Sequence, residues 1–505
     1  MERFMCKQIL LWGLLLLLPF EGMAQEPLSV GGCRRGVLPA QRALRRAGSL
    51  ENKEGIDGTL YQGDRRQLVV LASFDDRSFE GTESESLALW EKIFNQKHFN
   101  EAPYVGSVHD YFYDQSYGQF RLSFDLQYVE VGEVSRYQST LMDDENSFYL
   151  VDDVMDVLLT RDIDWSLYDW NGDGEVEHLL IVFAGMGMAD GGGKNSIWPH
   201  QWWLSSHRDL KQEGSPYHEA YTFVHDGKTY KVDCYCVVPE LGKTYNTLGV
   251  ICHEYGHFLG LTDFYSSVGN VLGEWDIMDK GYYTGGGCCP VSYSAHERML
   301  MGWLTPFELI EPMSVTDMPA LCDEPQAYII HNDGHPDEYY MVENRQLKGW
   351  DASLPGSGLL VFHVDFDPLY WFSPTERPNY SDQKRYEIVP ANGRKSTSYK
   401  EGWAYPYGNN NELTNTSTPA AILTNPNTDG SLLMNKPLMN MTITDGLASF
   451  DFMDEAAGIE DIKFSRDSFD TKQPTGWYTL SGMHLPEHPT QQGLYIHNGK
   501  KVLVK

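Results

Sequence analysis

Two textures of apolar and polar residues follow one another along the chain. In the first, "RQLVVLASF" (Arg66 to Phe74) and "HLLIVFAG" (His178 to Gly185) have unbroken apolar middles, the pattern of strands covered on both faces. "RLSFDLQYVEV" alternates like a half-buried strand, and "SFYLVDDVMDVLLT" sets Leu150, Val151, Val154, Val157 and Leu158 at helical spacing. "NTLGVICHEYGHFLGL" predicts another helix, with Leu248, Ile251, Cys252, Tyr255 and Leu259 on one face and Asn246 or Thr247 as its cap. Strands and helices interleave in this way over residues 61–305. Beyond Pro306 the runs shorten and alternate, as in "AYIIHN", "EYYMVENRQ" and "GLLVFHVDFD", with Gly, Pro and Asn between them. That texture predicts an antiparallel β domain over 306–455. A small module, 456–505, ends in "GLYIHNGKKVLVK", two alternating runs around Asn498-Gly499 that predict a hairpin.

The ends and the charge add location. Arg3 and Lys7 flank an apolar run from Ile9 to Phe20, and "GMA" closes on Ala24. This predicts a cleaved export signal over 1–24, too short for a stable transmembrane anchor. No later stretch approaches a membrane span, so a soluble, exported protein is expected. Residues 25–60, with "CRRGVLPAQRALRRAG", read as a pro-segment or linker. With 505 residues, 41% hydrophobic, and no fixed-period repeat, the chain is globular. A formal charge of −32 argues against nucleic acid or anionic membrane as partner and suits both solubility and a calcium-containing medium. Seven cysteines lie outside the signal, an odd number, so at least one thiol has no partner within the chain. Cys234 and Cys236 lack the second ligand pair of a structural zinc site.

The densest chemistry is "HEYGHFLGLTD". On a helix, His253 and His257 lie one turn apart and can aim their imidazoles at one ion. Glu254, rotated by about 100°, sits beside that ion as a base rather than as a ligand. Gly260 allows the helix to stop, and Asp263 can return as a third ligand. Three protein ligands plus water make a catalytic zinc, whereas structural zinc is closed by four. His200, in "IWPHQW", is the rival third ligand, with a substrate-cleft or packing role as its other reading. A second candidate site is "DWNGDG". Asp169, Asn171 and Asp173 offer alternating oxygens, Gly174 the bend and Glu175 a carbonyl to calcium, with Glu177 nearby. The twelfth position is Leu180, so this is not a full EF-hand, and a plain Asx-rich turn is the alternative.

The extended motif, followed by "GEWDIMDKGYY", resembles the metzincin clan of zinc endopeptidases, in which a methionine turn, here at Met278, floors the metal. The commonest clan pattern has histidine where Asp263 stands. Aspartate there is a feature of the immune inhibitor A family. The chain resembles that family through "GSVHDYFYDQSYGQFRLSFD", "YDWNGDGEVEHLLIVFAG", "SIWPHQW", "GVICHEYGHFLGLTDFY", "GEWDIMDKG", "SAHERMLMGWLTP" and "EYYMVENRQLKGWDASLPGSGLLVFHVD". The resemblance implies an α/β (α+β) metzincin-like catalytic domain, then a β-sandwich-like domain. It also implies zinc on His253, His257 and Asp263, and Glu254 as general base. Tyr282 or Tyr283 would be a phenolic donor to the oxyanion or substrate, as in some clan members, or would simply pack. Cys33, followed by Arg34 and Arg35, stands where a pro-segment thiol could silence the metal, although "GGCRRG" is not the known switch motif. The tail, with "YTLSG" and the closing hairpin, resembles sorting modules of bacterial type IX secretion and implies that machinery as a partner. The expected function is hydrolysis of extracellular proteins or peptides at the bacterial cell surface or beyond it. The alternatives are an adhesin or carbohydrate-binding protein on a protease-derived scaffold, against which an intact Glu254 argues, and a zinc amidase acting on cell-wall or small amides.

Overall fold

The structure, a computed structural model, describes residues 56–138, 146–205, 219–242, 247–372 and 376–453, and in the tail 477–478, 484–485, 488–490, 493–497 and 500–504. The export signal, Cys33 and the cap candidate Asn246 lie outside the described residues. The chain divides into two compact units between Asp454 and Glu455.

The first sheet uses β1 (Gly63–Phe74) and β2 (Phe120–Val131), then β4 (Leu179–Met186), β5 (His200–Trp203) and β8 (Cys234–Leu241). Its order is β2-β1-β4-β8-β5. The first four are parallel neighbours, and β5 runs antiparallel to β8 at the edge. A parallel pair needs a crossover. Between β1 and β2 the helices Glu83–Asn95 and Val108–Gln115 provide it, each opened by a capping box, Thr82 with Glu85 and Ser107 with Asp110. β1 is buried continuously from Gln67 to Phe74, and β4 from Leu179 to Ala184. Helix Ser147–Leu158 buries Leu150, Val151, Val154 and Leu158, while Val157 is half-buried. A small sheet pairs β3 (Glu175–Val176), β7 (Lys228–Val232) and β6 (Tyr221–His225).

Helix Thr247–Phe258 follows β8 and departs from the one-faced pattern expected of it: all twelve of its residues are buried. It packs against β8 and β5 and, on another side, against the Gly281–Gly287 segment. Its polar side chains must therefore find partners inside the protein.

After Pro306 come β9 (Phe307–Glu308), β10 (Met313–Met318), β11 (Tyr328–Asn332), β12 (His335–Arg345), β13 (Gly358–Asp365), β14 (Tyr386–Ile388), β15 (Leu438–Thr444) and β16 (Leu447–Phe452). They form a five-stranded sheet, β14-β13-β12-β11-β9, and a three-stranded sheet, β10-β16-β15. Pairing is antiparallel throughout except for the two residues of β9, which pair parallel with β11. Unlike a half-solvated sheet, the five-stranded one is covered on both faces. Tyr339, Met341, Leu360 and Phe362 join the core of the first sheet and its helices, whereas Tyr340, Val342, Leu359 and Val361 share a second core with β10, β15 and β16. One hydrophobic cluster thus runs from Ile56 to Ala404, across the change of texture at Pro306. Polar bonds reinforce the join. Buried Arg345 binds Asp351 twice at 2.7 Å, Glu343 at 3.0 Å and the Ser292 carbonyl, while Glu343 accepts the Ala295 amide at the start of helix Ala295–Leu300. Such a charge group is tolerated inside only because each member is paired.

The tail unit is a four-stranded antiparallel sheet, β18-β17-β19-β20, of Trp477–Tyr478 (β17), His484–Leu485 (β18), Gly493–His497 (β19) and Lys500–Val504 (β20). Its last pair has the register His497↔Lys500, and Asn498-Gly499, where the turn is expected, lie outside the described residues.

Cys236, Cys252, Cys288, Cys289 and Cys322 are free thiols. No helix among the described residues is long and apolar enough to cross a membrane.

Candidate metal centre

The helix Thr247–Phe258 carries His253 and His257 one turn apart, with their ring centroids 4.9 Å from each other. It ends where Gly260 takes φ +102°, a left-handed conformation that costs glycine nothing. The Leu261 amide then bonds back to the Gly256 carbonyl at 3.0 Å, the closure of a Schellman-type end. This reversal returns Asp263 to the two histidines. Its Oδ1 lies 3.4 Å from His253 Nε2 and 3.3 Å from His257 Nε2. All three residues are at most 1% exposed.

The outer atoms of each ligand are held. His253 Nδ1 donates to the Ile277 carbonyl at 2.7 Å and His257 Nδ1 to the Leu261 carbonyl at 3.0 Å. Those bonds place the ring protons on Nδ1 and leave the Nε2 lone pairs facing inward. On Asp263, Oδ2 is ion-paired with Arg377 and accepts from the Tyr265 hydroxyl, each at 3.0 Å. His253 Nε2, His257 Nε2 and Asp263 Oδ1 are buried and make no hydrogen bond to any other described group. Three buried donors that converge within 4.8 Å and have no other use fit a metal ion, and two imidazoles with one carboxylate suit zinc. Among the described residues this is the one such cluster of His, Cys, Asp and Glu.

Burial pushes both imidazoles toward the neutral form. At His253 the Asp263 and Glu254 carboxylates outweigh it and raise the pKa, while at His257 burial wins. Burial works against the Asp263 charge too, yet the Arg377 guanidinium and the two imidazoles hold its carboxyl well below the usual range. Glu254, 2% exposed, follows His253 on the same helix.

Beneath the site the chain turns at Asp276 to Gly281. Asp276 Oδ1 accepts the Met278 amide at 2.8 Å, and the Gly281 amide bonds the Asp276 carbonyl at 2.7 Å. Asp279 Oδ2 gathers the amides of Val271, Leu272 and Gly273. Burial pushes the Asp279 carboxyl up to about 6, a rise that Asn270 and those amides restrain. Met278 is fully buried, and its carbonyl accepts the Phe264 amide at 2.9 Å. A Cβ at Gly256 would lie 2.6 Å from Met278 Sδ, so glycine there is what lets the turn approach the helix. Tyr282 packs its ring 4.5 Å from that of His253, and Tyr283 lies 4.0 Å from Tyr282.

His200 is not brought to this cluster. It is fully buried on β5, with Nδ1 on the Trp198 carbonyl at 2.6 Å and Nε2 at 3.1 Å from Ser147 Oγ and 3.3 Å from the Tyr235 hydroxyl. The Asp169 to Glu175 loop lies elsewhere and closes largely on itself. Asp169 Oδ2 accepts the Gly174 amide, Asn171 Oδ1 that of Asp173, Asp173 Oδ1 that of Glu175, and Glu177 Oε2 that of Trp170. Lys228 pairs with Asp169. Asp169 Oδ1 and Glu177 Oε1 are buried without a hydrogen bond. Burial, with Asp169 and Asp173 nearby, pushes Glu177 up to about 7.

Arg377, Tyr265 and Gly256 support the site without being among the residues expected to form it. Tyr265 stands two places past Asp263 and Gly256 one before His257, and their positions were legible. Nothing in the spacing joins Arg377 to the motif, because that contact exists only once the chain is folded.

Residues 57–302 match the family model described as immune inhibitor A peptidase M6, catalytic domain. The chain is 27% identical over 325 residues to immune inhibitor A of Bacillus thuringiensis subsp. alesti, covering 55% of this chain and 44% of that protein. It is 27% identical over 252 residues to the pre-pro-metalloprotease PrtV of Vibrio cholerae serotype O1 (strain M66-2), covering 45% and 25%. The chain therefore spans less than half the length of these relatives. The matched model is that of a peptidase catalytic domain, and the second relative bears the name of a metalloprotease. Together with the convergent His253, His257 and Asp263, these similarities support the peptidase M6, or immune inhibitor A, family for residues 57–302.

Proposed function

We propose that the protein is a secreted zinc endopeptidase of metzincin-like architecture that cleaves peptide bonds of extracellular proteins. The observation that carries the reading is the convergence of His253 Nε2, His257 Nε2 and Asp263 Oδ1, three buried atoms with no other partner. These residues would hold the ion. Zinc bound there would supply Lewis-acid activation of water and of the scissile carbonyl. The Nδ1 bonds of His253 and His257 fix both rings and keep Nε2 aimed at the ion's place. The Glu254 carboxylate, next to His253 on the helix, takes the proton of the attacking water and passes it to the leaving amine. Tyr282, whose ring packs on His253, or Tyr283 beside it, would donate to the oxyanion. The apolar run Ile9–Phe20 supports export to the bacterial cell surface or beyond. The tail motif supports type IX sorting as the route, and the two sheets after Pro306 support a β-sandwich-like domain. Casein digestion by the purified protein should stop with a zinc chelator and return with zinc. Binding of casein or glycans without cleavage would favour the adhesin reading, and cleavage of small amides alone the amidase reading.

Calcium at Asp169, Asn171, Asp173 and Glu175 is a second part of this proposal. Buried Asp169 Oδ1 and Glu177 Oε1, lacking hydrogen bonds, favour a cation there. A ligand bound only by the folded state raises the melting temperature. Zinc-replete protein should melt higher with calcium than with a calcium chelator, and equal melting would remove the site.

A further inference from the structure

Asp263 is held from outside the matched 57–302 region, and the holding is specific. Arg377 lies between helix Pro368–Trp371 and β14, and its side chain is 11% exposed. Its NH1 group reaches Asp263 Oδ2 at 3.0 Å, the Tyr265 hydroxyl at 2.9 Å and the Tyr380 hydroxyl at 2.8 Å. The guanidinium carbon stands 4.7 Å from the Tyr380 ring centre and 5.3 Å from that of Tyr265, within cation–π range of both. Two residues on, fully buried Asn379 donates to the Phe264 carbonyl at 2.7 Å and to the Tyr386 carbonyl at 2.7 Å, and accepts the Arg385 and Tyr386 amides at 3.1 Å. One short segment thus fixes both the Asp263 carboxylate and the backbone beside it to β14.

We propose that Arg377 is a positioning residue of the metal centre. By occupying Asp263 Oδ2 with Tyr265, it leaves only Oδ1 for the ion and sets the direction from which that oxygen arrives. A carboxylate with both oxygens free could rotate or bind through both, whereas one engaged by a fixed guanidinium binds through the other alone. The consequence is that the β region completes the site: the peptidase motif supplies the ligands, and the segment before β14 fixes the orientation of Asp263. Methionine at 377 would keep the bulk and lose the charge. Lysine would keep the charge as a point donor without the planar fork.

This inference rests on the zinc reading, so the experiment reads metal and not cleavage. Zinc dissociation constants would be measured by competition with a chromogenic chelator, and visible spectra taken of the cobalt-substituted protein, for the full chain and for Arg377→Met and Arg377→Lys. Removing the partner of a metal ligand typically weakens binding by about 10–100-fold. Arg377→Met should show such a loss with an altered cobalt spectrum, and Arg377→Lys should recover part of both. Parental affinity and spectrum in a folded Arg377→Met would overturn the role. If Arg377→Met does not fold, Arg377→Lys decides: weakened zinc with a changed spectrum supports positioning, and parental values overturn it. A parent chain that binds no zinc would instead remove the zinc reading itself.

Discussion

A helix fixes the spacing of His253 and His257, and a glycine-ended turn returns Asp263 to them. Each of those steps is local, and local geometry is written in consecutive residues. The contact of Arg377 with Asp263 forms instead through tertiary packing. The same contrast governs the glycines of the helix. In isolation, replacing Gly249 by alanine should stabilise a helix by about 1 kcal/mol. Here the added Cβ would lie 2.0 Å from the Tyr282 carbonyl oxygen, a backbone atom that cannot swing aside. Gly249→Ala should therefore lose about 1–3 kcal/mol, the usual cost of overpacking, in denaturant unfolding of the metal-free protein. A more stable Gly249→Ala would show that the Gly281–Gly287 segment does not press on the helix as described.

Among the elements, β12 and β13 show what alternation alone conceals. "EYYMVENRQ" reads as an alternating strand, yet both of its faces are covered, so Glu338, Glu343 and Arg345 are buried and individually partnered. Glu338 links the two strands and a loop: it binds His363 at 2.6 Å and accepts the amides of Thr424 and Asn425. Burial pushes its carboxyl up, but His363 and those amides outweigh this and hold it at about 2, below the ordinary 4.5. His363 is raised above 6.5 although burial opposes it, because Glu338 and Glu387 favour its charged form. The Glu338 contribution to stability is full above 4.5 and fades as pH falls toward about 2. The His363 contribution is full below 6.5 and fades as pH rises through its raised value. The melting-temperature gap between the parent and Glu338→Gln should thus be widest between pH 4.5 and 6.5 and should narrow on acidification. A gap that stays constant with pH would contradict this linkage.

At the scale of the whole molecule, the early α/β layers, the later β layers and the tail hairpin were legible from the period of their apolar residues. The way the first two share a core was not, since which sheet face meets which partner depends on side chains distant in sequence. Tyr339 and Met341 pack toward the metal-bearing layers, and Tyr340 and Val342 pack away from them. That fusion places the segment carrying Arg377 against Asp263, so one compact unit holds the ligands and their supports. We propose that this unit holds a metal beside which Glu254 acts as general base. The most direct test is zinc content and casein cleavage measured on one homogeneous preparation of Glu254→Ala. The account predicts parental zinc content with cleavage reduced by about 10²–10⁴-fold, the usual worth of a positioned general base. Cleavage by Glu254→Ala at close to the parental rate, with zinc in place, would contradict it.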